Sequence, residues 1–267
     1  MSRILLGMAA AVLLHWPACA DPAFPLSISE PVAAAPPHAP PRRAEFLGRS
    51  ATQPVRQMAD WVADSRDNAG LPFVIVDKRD AKVFVFDKDG LILGSAWALV
   101  GAQRGDDSVP GIGTMPLHAI TPEMRTTPAG RFVAGLGNDL GTLNVLWVDY
   151  ASALSLHRVI NTNPAERRLE RIVSPVPAEH RISFGCINVP AAFFDKVVDP
   201  TFRSTKGVVY ILPEVKAMGG VFPGFYEVVK PELLAAGKAG GAVSTAPVAY
   251  LPDGRSVEDH DLAGIVH

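Results

Sequence analysis

Of the two cysteines in the chain, Cys19 and Cys186, only Cys186 stands among residues that could put a thiol to use. It lies in Arg181-Ile-Ser-Phe-Gly-Cys186-Ile-Asn-Val-Pro190. A thiol attacks an acyl carbon only as the thiolate, so it needs a base or a field that lowers its pKa. His157 follows the apolar Leu154 and Leu156 near the end of a predicted strand and is the better candidate base. His180 is nearer in sequence, but Pro175-Val-Pro-Ala-Glu-His180 reads as a solvated polar turn. The bland alternative for His157 is a satisfied core histidine. Gly185 permits a sharp turn before the thiol, and the amides of Gly185 and Cys186 could face a developing oxyanion. Pro190 suits a first helical turn, and Ala191 to Val198 is helix-compatible up to Asp199-Pro200. A helix N-terminus close behind Cys186 would favour thiolate.

The cysteine count sharpens the question. Residues 1–20 carry a basic Arg3, an apolar run from Ile4 to Leu14, and Ala18-Cys19-Ala20 ahead of Asp21. That pattern predicts an export signal cleaved after Ala20, too short in its apolar part for a stable membrane insertion. Lipidation of Cys19 is the rival, disfavoured by Trp16 and Pro17. Cleavage places the chain in the periplasm with Cys186 as its sole cysteine. A single thiol in an oxidising compartment is a buried inert group, an intermolecular bridge or a nucleophile.

The 267 residues are 48% hydrophobic and 19% charged with a net charge of −2. That suffices for one substantial core and offers no basic surface for nucleic acid. No histidine pair at metal-ligand spacing and no second cysteine support a metal site, so neither a metal nor another cofactor is expected. Gly135, Gly137 and Gly141 lack the spacing of a dinucleotide fingerprint and read as turn glycines.

The elements that must position the thiol follow in order. Residues 21–43 form a Pro/Ala-rich linker. Within 44–71, Val55, Met58 and Val62 recur at helical spacing beside Trp61, which predicts a helix on the outside of the domain, ended by Gly70 and Pro72. Phe73 to Asp77, Ala81 to Asp87 and Leu91 to Val100 predict a β-meander, with Val83-Phe-Val-Phe86 covered on both faces. A Gly- and Asp-rich loop follows from Gly101 to Thr114. Further strands are predicted over Arg131–Val133, Leu143–Asp149 and Ala153–Ile160, the last carrying His157. Residues 72–215 form the catalytic domain. Residues 216–267, Ala- and Gly-rich around 239–246, read as a loosely ordered extension.

Over roughly Pro72 to Pro213 the chain resembles the catalytic domain of L,D-transpeptidases of the YkuD type. The resemblance rests on the opening meander, Thr127-Pro128-Ala129-Gly130, a strand-borne histidine, and the Ser-x-Gly-Cys-hydrophobic-Asn pattern from Ser183 to Asn188. It implies a mainly β fold with flanking short helices, a YkuD-like β-sandwich or barrel. It also implies Cys186 as nucleophile, His157 as base, and the backbone carbonyl of Arg158 orienting the imidazole. Ser183, Gly185 and Asn188 would shape the turn around the thiol, with Ser183 and Asn188 serving turn hydrogen bonds or substrate contact. Two departures stand out. Phe184 occupies the position where the family has a histidine, so the chain either does without that group or uses Arg181 or His180 nearby, with Phe184 and Arg181 on the substrate side. The segment between His157 and Ser183 is long and rich in charge, with Glu166, Arg167, Arg168, Glu170 and Arg171. It is either a solvated loop or a source of arginines for substrate carboxylates.

The activity implied is acyl transfer on peptidoglycan stem peptides. Cys186 would form a thioester with loss of terminal D-Ala, resolved by an amine (transpeptidation) or by water (L,D-carboxypeptidation). A carbapenem-type inhibitor should acylate the same thiol. A non-catalytic wall-binding module is the alternative of a different class, favoured by Phe184.

Overall fold

The computed structural model describes residues 40–139 and 143–229. The export signal expected over 1–20, most of the 21–43 linker and the chain beyond 229 lie outside the described residues. No helix among the described residues is long and apolar enough to cross a membrane.

Among the described residues the first element is a helix, α1 (Gln53–Ser65), and ten strands follow it. These are β1 (Phe73–Asp77), β2 (Lys82–Phe86), β3 (Ile92–Trp97), β4 (Val100–Gly101), β5 (Gly130–Asp139), β6 (Leu143–Asp149), β7 (Leu154–Arg158), β8 (Arg181–Ser183), β9 (Ile187–Val189) and β10 (Gly207–Ile211). Eight of them form one mixed sheet in the order β3-β2-β1-β10-β5-β6-β7-β9, while β4 pairs with β8. Within the large sheet β1–β10 and β7–β9 are parallel and the other pairs antiparallel. The two edges do not stay apart. Leu99, just past β3, exchanges backbone hydrogen bonds of 2.8 and 2.9 Å with Asn188 of β9. The sheet therefore curls back on itself into a nearly closed barrel, the mainly β architecture that the meander pattern implies.

Alternation along the strands explains two cores. In β1 and β2, Val74, Val76, Val83 and Val85 face the barrel interior with Leu146, Leu156, Ile187, Val189, Val209 and Ile211. Phe73, Ile75, Phe84 and Phe86 point the other way, where α1 covers them with Val55, Met58, Trp61 and Val62. Because side chains alternate with a period of two, a strand apolar at every position must be covered on both faces. The segment 44–71 is thus one layer of the same fold rather than a separate unit. Its helix ends at Arg66, which takes a left-handed conformation (φ 59°), before Gly70 is reached.

Three further expectations need correcting. Gly135 and Gly137 lie inside β5, paired with Trp147 and Val145, and are not turn glycines. The helix from Ala191 does not stop at Asp199-Pro200: Ala191–Phe193 runs through a wider π-type turn, Phe194–Val198, into Asp199–Phe202. Pro200 has no N–H to contribute, and as an opening residue of the last segment it needs none. Phe194, Val198 and Phe202 of this run plug the barrel interior. Finally, residues 216–229 pack onto the domain. Met218–Val221 is helical, and Phe222 is buried with Trp61 and Tyr210 in the outer core.

Candidate active site

Parallel pairing of β7 with β9 sets the site. Leu156 lies opposite Ile187, His157 opposite Asn188 and Arg158 opposite Val189. Cys186 therefore enters β9 beside Ser155, with the His157 ring near enough for ring and thiol each to shift the other's pKa. The His157 Nδ1 lies 2.6 Å from the Arg158 carbonyl oxygen, so Nδ1–H donates there and Nε2 is turned to the thiol. Ser155 donates its hydroxyl to Sγ at 3.6 Å, and Sγ lies 3.4 Å from the Ala153 carbonyl oxygen. Burial pushes the Cys186 thiol up, but His157 and Ser155 more than reverse it, leaving the pKa below the ordinary 9.0. Burial likewise pushes His157 down, and the thiol with the Arg158 carbonyl lifts it above 6.5, against the Arg168 charge. Both directions favour a thiolate–imidazolium pair.

A turn fixes the sulfur. Ser183 Oγ donates to the Cys186 carbonyl (2.7 Å) and accepts the Gly185 N–H (3.1 Å), so that amide is used within the turn. Asn188, fully buried, donates to the same carbonyl at 3.1 Å and accepts from Arg168 at 3.0 Å. Gly185 has φ 140°, and a Cβ there would meet the Thr126 carbonyl oxygen at 3.0 Å, so glycine is required on both counts. Thr127 bridges the turn to the wall, accepting from Gly101 N (2.8 Å) and donating to the Gly185 carbonyl (2.6 Å).

Behind Thr127 sits a buried ion cluster. The Lys78 ammonium donates to the Asp106 carboxylate (2.8 Å) and to the Thr127 carbonyl (2.9 Å). Asp106 also accepts the backbone amides of Glu214, Val215 and Lys216. Arg181 ends here, ion-paired with Glu214 and donating to the Lys78 carbonyl at 3.0 Å. It is thus committed to the scaffold beneath the turn.

His180 is not solvated. It is fully buried, with its ring nitrogens 3.0 Å from the Ala98 carbonyl and 2.9 Å from the Ser174 carbonyl. The short 3-10 turn Pro177–His180 rolls the ring inward against Trp97. The charged insert mostly pairs with itself: Arg167 with Glu170, Arg168 with Glu166, and Arg171 with the Glu166 and Glu179 carbonyls. Arg168 alone of these reaches the site, through Asn188. The Arg158 carbonyl accepts the imidazole N–H while the Arg158 guanidinium pairs with Asp195.

The helix behind the thiol starts where expected, at Ala191 after Pro190, but its end does not reach the sulfur. Three residues of β9 and Pro190 intervene before Ala191, an extended path of roughly 3.3 Å per residue. A helix end acts within about its first turn. The thiolate is therefore stabilised by neighbouring side chains. Ser155 was missed from sequence, although it shares a strand face with His157 two residues on.

The thiol opens into a cavity of about 300 Å³ lined by Ile112, Met115, Leu117, Ile120, Pro128 and Phe184. A larger one, about 740 Å³, lies beside α1 and includes Arg43, Gln53, Arg56 and Asp60. It contains no nucleophile–base pair, so chemistry rather than volume selects the smaller.

No protein-family model and no curated protein matches the chain. Among solved structures, it is similar to the catalytic domain of the L,D-transpeptidase from E. faecium, at 14% identity and TM-score 0.34. That match covers 54% of this chain and 98% of the other. It is also similar to an L,D-transpeptidase from Xylanimonas cellulosilytica, at 15% identity and TM-score 0.32, over 54% of this chain and 61% of that one. Both likenesses are weak, and the functional conclusion rests on the site's own geometry.

Proposed function

We propose that the protein is a cysteine acyltransferase of the L,D-transpeptidase type acting on peptidoglycan stem peptides. One observation carries it: parallel pairing of β7 with β9 sets His157 beside Cys186, each favouring the other's charged form, with the imidazole Nδ1 tied to the Arg158 carbonyl. The thiolate attacks the carbonyl preceding a terminal D-Ala. The imidazolium gives its proton to the departing amine, D-Ala leaves, and a thioester remains on Sγ. An amine of a second stem then attacks the thioester, His157 takes its proton, and the thiolate is regenerated. Water in place of the amine gives L,D-carboxypeptidation. Peptidoglycan lies outside the cytoplasm, so export and removal of residues 1–20 belong to the same proposal.

The test is incubation with a disaccharide tetrapeptide, alone and with an acceptor stem, following D-Ala release and dimer formation. Intact mass after a carbapenem reports acylation independently. Cys186→Ala should abolish release, dimer and adduct while leaving the circular dichroism unchanged. Release or adduct formation that survives in this variant overturns the assignment, and a folded wild-type protein inert to both reagents favours the wall-binding alternative.

A further inference from the structure

Phe184, where the family resemblance places a histidine, is half-buried and lines the cavity with Cys186. The guanidinium carbon of Arg125 lies 3.8 Å above the centre of its ring. Stacking of this kind holds the guanidinium flat and leaves its N–H edge available to a planar anion.

Arg125 has donors to spare. Its Nη2 donates to the Ile120 carbonyl at a long 3.3 Å, and its Nε is buried without a hydrogen-bond partner. Among the described residues no carboxylate lies within ion-pair distance of it; Glu123 feels its charge but is exposed. The other arginines around the site are each held by a carboxylate: Arg158 by Asp195, Arg168 by Glu166 and Arg181 by Glu214. An unsatisfied buried donor calls for an explanation. Both residues that Arg125 touches through its side chain, Ile120 and Phe184, are cavity walls. Of the remaining walls, Ile112, Met115, Leu117 and Pro128 are apolar, with room for a small aliphatic side chain, while Ser108, Thr126 and Ser152 add only uncharged hydroxyl residues, so the lining offers no counter-charge of its own.

We propose that Arg125, stacked on Phe184, receives the free α-carboxylate of the peptide end lying in the Cys186 cavity, so that the site selects peptides ending in a small aliphatic residue with an unblocked C-terminus. Arg125 is then a specificity-determining residue. It reads the terminus of the leaving segment, while His157 handles the proton. Chains extended by another residue, or amidated, leave the guanidinium without its partner and are disfavoured. A site built around a polar partner rejects analogues that lack it.

The proposal deepens the acyl-transfer reading, and its test has one arm that depends on that reading and one that does not. In the first, the wild-type protein and Arg125→Gln are given a tetrapeptide stem as the free acid and as the C-terminal carboxamide. The free acid should be favoured on the order of 10-fold or more in kcat/KM, the scale of a lost charged hydrogen bond, with the variant's ratio falling towards one. Equal use of acid and amide by the wild type, or an unchanged ratio in the variant, overturns the proposal and leaves acyl transfer standing. In the second, Cys186 is alkylated at one pH with iodoacetate and with iodoacetamide, a charged and a neutral probe of similar size. Arg125→Gln should lower the iodoacetate-to-iodoacetamide rate ratio about 3-fold or more, with the His157 charge common to both proteins. Arg125→Lys should fall between them, and it serves as the test variant if the Gln protein does not fold. Should no peptide be turned over, this arm decides alone, and an unchanged ratio overturns the proposal.

Discussion

Thr127→Val removes one hydroxyl and nothing else of size. In the native protein that oxygen accepts the Gly101 N–H at 2.8 Å and donates to the Gly185 carbonyl at 2.6 Å. Thr127 is 2% exposed, and both glycines are buried. Valine fills the same volume, so no cavity term enters, but two backbone groups lose their partner without gaining water. Each orphaned buried group costs about 1–3 kcal/mol, so the variant should lose roughly 2–6 kcal/mol. With a urea m-value of about 2 kcal/mol/M, the unfolding midpoint falls by about 1–3 M at unchanged slope. Thr127→Ser keeps the hydroxyl and loses a methyl, about 1 kcal/mol. Since Gly185 carries Cys186, the valine variant should also react more slowly with iodoacetamide at neutral pH under conditions where it remains folded. Equal midpoints for the valine and serine variants would falsify the hydroxyl bridge.

His157→Ala should move the Cys186 alkylation profile up towards the ordinary thiol value of 9.0 and cut acylation about 10²-fold or more. His180→Ala should leave that profile in place and lower the melting temperature, because its ring only ties the Ala98 and Ser174 carbonyls. A reversed pattern between the two would move the base role. Burial pushes the Asp106 carboxyl up, but Lys78 and the amides of residues 214–216 hold it well below 3.8 in the folded protein. Its stabilisation is therefore present above that pH and is lost as the pH falls through the lower folded value. Asp106→Asn should cost about 3–5 kcal/mol at pH 7, as removal of one partner from a buried pair does, and less at pH 2. A penalty independent of pH across that range counts against the ion pair.

The strands that sequence makes legible are those whose apolar pattern is long enough to speak locally. β1, β2, β3, β6 and β7 belong to that group, and Val83 to Phe86 announces its double coverage by being apolar throughout. β9 announces nothing: three residues become a strand because Leu156–Arg158 pairs with one side and Leu99 with the other. Ignorance of that pairing is why a helix end is expected near the thiol. β5 is obscured by its glycines, of which Gly137 is covered by Trp147 and Tyr150. In the candidate site, Cys186 stands out by residue type and His157 by the family resemblance, and Ser155 could be found by strand alternation from His157. Arg125 has no local signal, since only the closed fold brings residue 125 over residue 184. His180 misleads because the prolines and Glu179 around it are surface residues while its own ring is not.

The last strand occupies the middle of the sheet. β10 lies between β1 and β5, and its parallel partner ends about 130 residues earlier in the chain. Until residues 207–211 are in place, the sheet stands open between β1 and β5, and the three-stranded meander meets the β5-β6-β7-β9 group that holds the thiol only at the Leu99–Asn188 bridge and the short β4–β8 pair. Closing so long a loop costs entropy before any contact rewards it, and such topologies fold slowly. A chain truncated before residue 207 should therefore carry both Cys186 and His157 yet hold its two halves together by the Leu99–Asn188 seam and the Thr127 bridge alone. Among the described residues, the strand that is made last is thus the one that closes the barrel around the Cys186 site.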